Sequence, residues 1–377
     1  MIDHSTESRI KALREELDQV DSRLVELAAS RQRIVSEIGR VKQGEGKQLR
    51  DFRREREVIE RVRARAGALG FDPMLAERLL KSLIEASLTR QEVERGRLAG
   101  RGRGRTSMVI GGGGLMGRWL VEFLDNQGFD VQVSDPVESE GSVDWRAIAD
   151  GTDVIVVAAP ILPSANIISE LTEIGTAALV FDIASIKTPL IDPLRQAARA
   201  GLKVCSIHPM FGPDTRLLSG RNVLVMDAGC ESAVEEAREL FADTMAEVRQ
   251  IDLEEHDRLV ALVLGLSHAV NIAFFTALER SGMEAGHLAG ISSTTFKRQL
   301  DIARDVAGEN PELYHEIQHL NEHGAWARDL LKEASQSIID HVVGDDATQF
   351  ADLMLRGREF LRGLDQPRPS GIRADDL

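Results

Sequence analysis

A guanidinium stands where the pattern calls for a leucine. From Ile10 the apolar residues recur in steps of three and four through Leu13, Leu17, Val20, Leu24 and Leu27, and again at Ile34, Ile38 and Val41, with Arg31 in the seam between. That spacing predicts one long helix with a single buried face. A cation inside such a face costs several kcal/mol unless an anion pairs with it. Lys42 follows eleven residues later, three turns on, so it points the same way about 16 Å along the axis. On a second helical pattern the stripe Val58, Ile59, Val62, Ala66 extends back through Glu55, Arg54 and Asp51. On a third, Leu79 and Leu83 lead at intervals of four to Ser87 and Gln91. Three helices thus bring polar and charged side chains onto faces that should be dry, the pattern of a polar pocket inside a bundle. A buried ion pair of Arg31 with Glu55 or Asp51 would account for single members. The whole set holds more cations than anions, which asks for an anionic ligand.

A second constellation lies further along. Gly112, Gly114 and Gly117 spell G-x-G-x-x-G around Leu115 and Met116, after an apolar stretch ending at Ile110 and before a helical one from Arg118 to Asn126. Asp135 closes the next apolar stretch, 23 residues past Gly112. In that context the glycines predict a dinucleotide site, with the pyrophosphate at a helix N-terminus. Asp135 can bond both hydroxyls of an adenosine ribose and would repel a 2′-phosphate, so NAD is expected over NADP. Val204-Cys-Ser-Ile-His208-Pro places His208 at the carboxyl end of a strand, the edge where doubly wound sheets bind ligands. Ser185, at another strand end in FDIASIK, offers a hydroxyl that could fix the imidazole. His256, in EEHD, is read as a cap on a helix. No metal is expected.

The elements that must position these residues fall into three blocks. Residues 1–95 read as helices alone: one to about Lys42, broken at Gly44 and Gly46, one from about Asp51 to the Gly67–Gly70 turn, and one opened by Asp72-Pro73, an N-cap before proline in the first turn. Residues 96–106, rich in glycine and arginine without periodicity, read as a linker. Residues 107–252 alternate short apolar strands with helical stretches, the pattern of an α/β, parallel, doubly wound sheet. Residues 253–364 return to helices, and 365–377 read as a disordered tail.

Composition narrows the field. The 377 residues are 43% hydrophobic and 4% aromatic, with two cysteines, Cys205 and Cys230, both in apolar contexts. No disulfide framework, apolar run of membrane length or signal peptide is apparent, and a cytoplasmic protein is expected. The net charge of −15 hides a split: residues 1–105 hold 24 Lys+Arg against 18 Asp+Glu, the remainder 22 against 43. The basic residues interleave with acids at helical spacing and lie in no run with aromatics, so a small anionic ligand is expected and nucleic acid is not.

The stretches ALREELDQVDSRLVELAASRQRIVSEIGRVK, LRDFRRERE and EASLTRQ resemble the helical chorismate mutase family over about 85 residues. The resemblance puts carboxylate-binding arginines on Arg14, Arg31 and Arg54, ether-oxygen donors on Lys42 and Gln91, the residues around the substrate hydroxyl on Asp51 and Glu55, and Ser87 in the pocket wall. Chorismate is a dianion, and its pericyclic rearrangement to prephenate needs no nucleophile. Clamping both carboxylates and stabilising charge on the ether oxygen would suffice. Arg14 lies about 42 Å along the helix from Lys42, beyond the reach of one small ligand. It is therefore expected to enter the pocket from a second protomer of a homodimer.

VIGGGGLMG, DIASIK, HPMFGP, EEHD and LSHAVNIAFF resemble the prephenate dehydrogenase family across roughly residues 107–365. That implies NAD as cofactor, His208 as catalytic histidine with Ser185 beside it, His268 on the substrate side, and a substrate-binding arginine, for which Arg304 is the preferred candidate over Arg298 and Lys297. The last block then becomes a helical substrate and dimerisation domain. Together the halves resemble the bifunctional mutase–dehydrogenases of tyrosine biosynthesis. Two alternatives stay open: the first helices as a mere dimerisation arm, and arogenate as substrate. An activity limb near pH 6.5 is expected if His208 titrates as an ordinary histidine.

Overall fold

The computed structural model describes residues 4–44, 50–136, 142–343 and 347–365. The expected break at Gly46, the acidic run after Asp135 and nearly all of the expected tail lie outside them. Three helices open the chain, α1 (His4–Gly44), α2 (Phe52–Ala68) and α3 (Pro73–Ala99). Asp51 caps α2 by accepting from Arg54 N at 2.9 Å, and Asp72 caps α3 by accepting from Met74 N at 2.9 Å. α3 runs four residues into the stretch read as linker. Its stop is Gly100, whose φ of +58° suits glycine.

The apolar seam of α1 is not buried within one chain. Leu17, Leu24 and Leu27 are 57%, 60% and 67% exposed. α1 packs on α3 near its C-terminal end, through residues such as Arg31 and Val35, and residues 6–27 are exposed throughout. The periodicity was legible; nothing among the described residues covers the face it marks.

The middle block forms a seven-stranded sheet in the order β2-β1-β3-β4-β5-β6-β7. It comprises β1 (Thr106–Ile110), α4 (Leu115–Asn126), β2 (Asp130–Ser134), the short α5 (Trp145–Ile148), β3 (Val154–Val157), α6 (Ile161–Ile174), β4 (Leu179–Asp182), α7 (Ile191–Arg199), β5 (Lys203–Pro209), β6 (Asn222–Asp227), α8 (Glu231–Leu240) and β7 (Glu247–Ile251). All neighbours are parallel except β5 and β6, which run antiparallel with His208 opposite Leu224. Alternate residues feed two cores, Met108, Ile155 and Val180 on one face, Val109, Val156 and Phe181 on the other. Burial on both faces is why these strands read as continuous apolar runs.

The last block is helical: α9 (Leu253–Val260), a π-helical turn (Ala261–Leu266), α10 (Ser267–Arg280), α11 (Ala285–Gly290), α12 (Thr294–Ala307), α13 (Pro311–His319), α14 (Gly324–His341) and α15 (Thr348–Arg362). The run Leu253–Arg280 is long and apolar enough to cross a membrane, contrary to the reading that no stretch is. Its first turns are nonetheless bonded into the protein. Asp257 accepts from Lys187 N, and its carbonyl accepts from Asn321 Nδ2 at 2.8 Å.

Candidate active sites

In the helical block Arg31 meets no carboxylate among the described residues. Arg31 Nη1 donates to Leu83 O at 3.0 Å and to Ser87 Oγ at 3.1 Å; neither partner is a carboxylate. Burial lowers the Arg31 pKa from its ordinary value, the direction expected of a cation without compensation. Gln91 is buried and donates from Nε2 to Val35 O at 2.6 Å. The crossing is so close that a Cβ on Gly39 would lie 2.7 Å from Gln91 Nε2. Lys42 is half-buried, and Ser87 is buried.

Other predicted members stand differently. Asp51 is exposed, and one of its oxygens is committed to the α2 cap, because a short carboxylate at that position answers the first free amides. Glu55 is held by a fork from Arg50, not by Arg31. Arg54 is exposed and leans on Glu57 at 3.4 Å. Arg14 is exposed near the start of α1.

The glycine turn joins β1 to α4. Gly111 takes φ +87°, and a Cβ there would lie 2.7 Å from Ala158 backbone atoms. The positive φ thus falls one residue before the G-x-G-x-x-G triplet. A Cβ on Gly117 would lie 2.1 Å from Gly111 O, and one on Gly112 would lie 2.6 Å from Val133 Cγ1, so both serve close packing of turn, helix and strand. Gly114 is the N-cap of α4 and supplies no side chain to it, so the first amides, beside exposed Leu115 and half-buried Met116, can meet a phosphate. Asp135 leaves β2 next to the turn and accepts from Gly113 N at 3.0 Å. A pyrophosphate at the helix start and a ribose at Asp135 fit this arrangement.

His208 ends β5 almost completely buried, at 3% exposure. Its Nδ1 lies 2.9 Å from His256 Nε2, and His256 Nδ1 lies 2.7 Å from Asp257 Oδ1. Asp257 is fixed in turn by Lys187 N at 2.8 Å, Thr188 N at 2.6 Å and Thr188 Oγ1 at 2.5 Å. A carboxylate only accepts, so His256 donates from Nδ1 and accepts at Nε2. His208 must then donate from Nδ1, which leaves its Nε2 as a lone pair. Burial first, then the neighbouring His256 and Lys187, hold the His208 pKa well below 6.5, so the lone pair stays available at neutral pH.

This relay corrects two expectations. His256 is no cap; Asp252 caps α9 by accepting from Glu254 N and Glu255 N. The partner of the His208 imidazole is His256, not Ser185, which is half-buried and makes no bond to His208 among the described residues. Beneath the relay Lys187, fully buried, pairs with Asp182 at 2.6 Å and donates to Ile207 O at 2.9 Å, tying β4 to β5. His268, in the helix that follows the relay, stacks on Tyr314 with ring centroids 4.1 Å apart, and its Nδ1 is buried without a bond among the described residues. Arg304 is exposed on α12 and pairs with Asp301 at 3.0 Å.

Residues 13–92 match the family described as chorismate mutase type II, residues 126–250 the nucleotide-binding domain of prephenate dehydrogenase, and residues 252–356 its dimerization domain. The T-protein of Enterobacter agglomerans is 27% identical over 96% of this chain and 100% of that one. The chain belongs to the bifunctional chorismate mutase–prephenate dehydrogenases, the T-proteins. It is an enzyme with both activities, serving tyrosine biosynthesis. The T-protein of Haemophilus influenzae is 24% identical over 93% of this chain and 92% of that one. The crystal structure of prephenate dehydrogenase from Aquifex aeolicus with hydroxyphenyl propionate and NAD+ shares the dehydrogenase fold. It is 19% identical, has a TM-score of 0.53, and covers 68% of this chain and 98% of that one. The glycine turn of this T-protein lies upstream of the matched nucleotide-binding segment, so its assignment rests on the geometry above.

Proposed function

We propose that this cytoplasmic T-protein works as a homodimer whose two sites act in sequence. In the helical site Arg31, Arg54 and the Arg14 of a second copy clamp the carboxylates of chorismate. Lys42 and Gln91 donate to the ether oxygen as its C–O bond breaks and the new C–C bond forms, with Asp51 and Glu55 at the substrate hydroxyl and Ser87 lining the wall. Gln91 must leave Val35 O to do so. The observation that carries this half is Arg31, half-buried against a carbonyl and a hydroxyl with no carboxylate bonded to it among the described residues.

In the second site His208 Nε2 takes the proton of the prephenate 4-hydroxyl. Gly112, Gly114, Leu115, Met116, Gly117 and Asp135 would hold NAD, which would supply the acceptor for the hydride that leaves C4. Loss of CO2 from C1 returns an electron pair to the ring, and the protonated His208 gives its proton back to the oxygen of 4-hydroxyphenylpyruvate. His268 and Arg304 are assigned to the substrate, Arg304 on condition that it leaves Asp301. The relay supports His208 as a base that needs no deprotonation step.

One mixed assay tests both halves. With chorismate and NAD together, chorismate absorbance should fall, NADH should rise after a lag, and 4-hydroxyphenylpyruvate should accumulate. NADH from prephenate but not from chorismate would leave the mutase assignment dead.

The pH dependence follows from the depressed His208 pKa. Its neutral form persists below the ordinary value of 6.5, so kcat/KM for prephenate should stay level from pH 8 to about 6.5 and fall only below that. The unfolded chain takes up a proton that folded His208 refuses, so stability also declines below about pH 6.5, and rates must be referred to folded enzyme. An acid limb centred at or above 6.5 would contradict the buried base.

A further inference from the structure

The mutase helices are bonded to the dehydrogenase at a place that bears on their own site. Glu92, the residue after Gln91 on α3, is buried. Its Oε2 accepts from Leu218 N at 2.8 Å, and its Oε1 accepts from Met245 N at 2.5 Å. Leu218 lies in the loop from β5 to β6, ten residues beyond His208. The next residue, Ser219, accepts at Oγ from Arg50 Nη1 at 2.8 Å. Arg50 turns its other edge to Glu55, with Nε on Oε1 and Nη2 on Oε2, both at 3.0 Å, and lies over the Phe52 ring at 4.5 Å. The path Glu92, Leu218, Ser219, Arg50, Glu55 is therefore continuous. It leaves the mutase block from α3, crosses a loop of the dehydrogenase and returns at the start of α2. Both ends adjoin the mutase site, at Glu55 itself and at the neighbour of Gln91.

We propose that the Leu218–Ser219 segment of the dehydrogenase is a structural part of the mutase site, with Ser219 and Arg50 as positioning residues for the Glu55 carboxylate. The inference rests on the assignment of Glu55 to the chorismate hydroxyl. A carboxylate on a surface helix samples several rotamers, and a two-toothed guanidinium fork selects one. The fork is itself free to swing unless its remaining edge is tied, and Ser219 ties it. The substrate carboxylates still meet their arginines when the fork is loosened, so binding survives while orientation degrades. Ser219 takes no part in the His208 relay or the glycine turn, so dehydrogenation of prephenate does not depend on it.

The test compares steady-state constants of full-length Arg50→Lys, Ser219→Ala, Ser219→Thr and Glu55→Gln. Arg50→Lys, which keeps the charge and loses the fork, should lower mutase kcat about tenfold with KM little changed. Ser219→Ala should lower it about threefold, and Ser219→Thr, which keeps the hydroxyl, should restore it. All three should oxidise prephenate at the parent rate. Unchanged mutase constants in Arg50→Lys and Ser219→Ala beside an impaired Glu55→Gln would overturn the brace and leave the Glu55 assignment standing. Equal loss of both activities would overturn it in favour of plain domain docking. An unaffected Glu55→Gln would remove the assignment, and the brace with it.

Discussion

Asparagine in place of Asp257 should cripple prephenate oxidation by on the order of 10²–10³-fold although residue 257 never touches substrate. The Asp257 carboxylate meets two donors from Thr188 on one side and His256 Nδ1 on the other. An asparagine would keep its carbonyl toward Thr188 and present its NH2 to His256. His256 would then accept at Nδ1 and donate from Nε2, and His208 would accept at Nδ1 and carry its proton on Nε2. The base would face prephenate already protonated. His208→Asn, which removes the base outright, should cost 10²–10⁴-fold. Both variants should rearrange chorismate at the parent rate, because the relay lies wholly in the dehydrogenase half. Thermal unfolding controls for the Lys187 N bond to Oδ1, which an NH2 group cannot accept. An Asp257→Asn enzyme with parent dehydrogenase kcat would show that the tautomer pattern is irrelevant to the chemistry.

The relay also marks where the sequence stopped being legible. His208 could be placed at a strand end because an apolar run, a histidine and a proline follow one another locally, and the glycine turn and Asp135 are likewise bound by one strand–turn–helix unit. His256 sits 48 residues from His208, and no local pattern reports that the two rings meet. Beside Asp252 and two glutamates it looked like helix-cap chemistry, which Asp252 performs alone. Ser185 follows β4, the strand beside β5, yet strand adjacency does not say which side chain bonds the imidazole. Arg31, Ser87 and Gln91 were readable because helical periodicity fixes which residues share a face. Arg50 was not, since it precedes the helix and its partner Ser219 lies in another domain. The expectation of a dry seam on α1 failed for a related reason: periodicity says that a face must be covered and is silent about which chain covers it.

That uncovered seam leads to the strongest test of the mutase site. The nine apolar residues of that seam, from Ile10 to Val41, are 45–67% exposed, and covering them would contribute on the order of 10 kcal/mol. In the proposed homodimer a second copy of α1 would supply the same stripe in return, as a two-fold interface requires. Such pairing would carry Arg14 of one chain toward the Arg31 region of the other. Arg14→Ala and Arg31→Ala should each lower mutase turnover at least about 100-fold, because each removes one side of a charge-assisted clamp. Arg31→Ala should not destabilise the fold, since it deletes a half-buried cation that no carboxylate answers among the described residues. Co-expressed in equal amounts, the two dead variants should recover about a quarter of parent mutase activity. Half of the dimers would be mixed, and one of the two sites in each would join an intact Arg31 to an intact Arg14. If both arginines served the site of their own chain, every site in the mixture would carry a lesion and nothing would be recovered. If the first helices were only a dimerisation arm, neither variant would lose turnover at all. The recovered fraction therefore separates a shared mutase site from a self-contained one and from none, and it does so without disturbing the dehydrogenase.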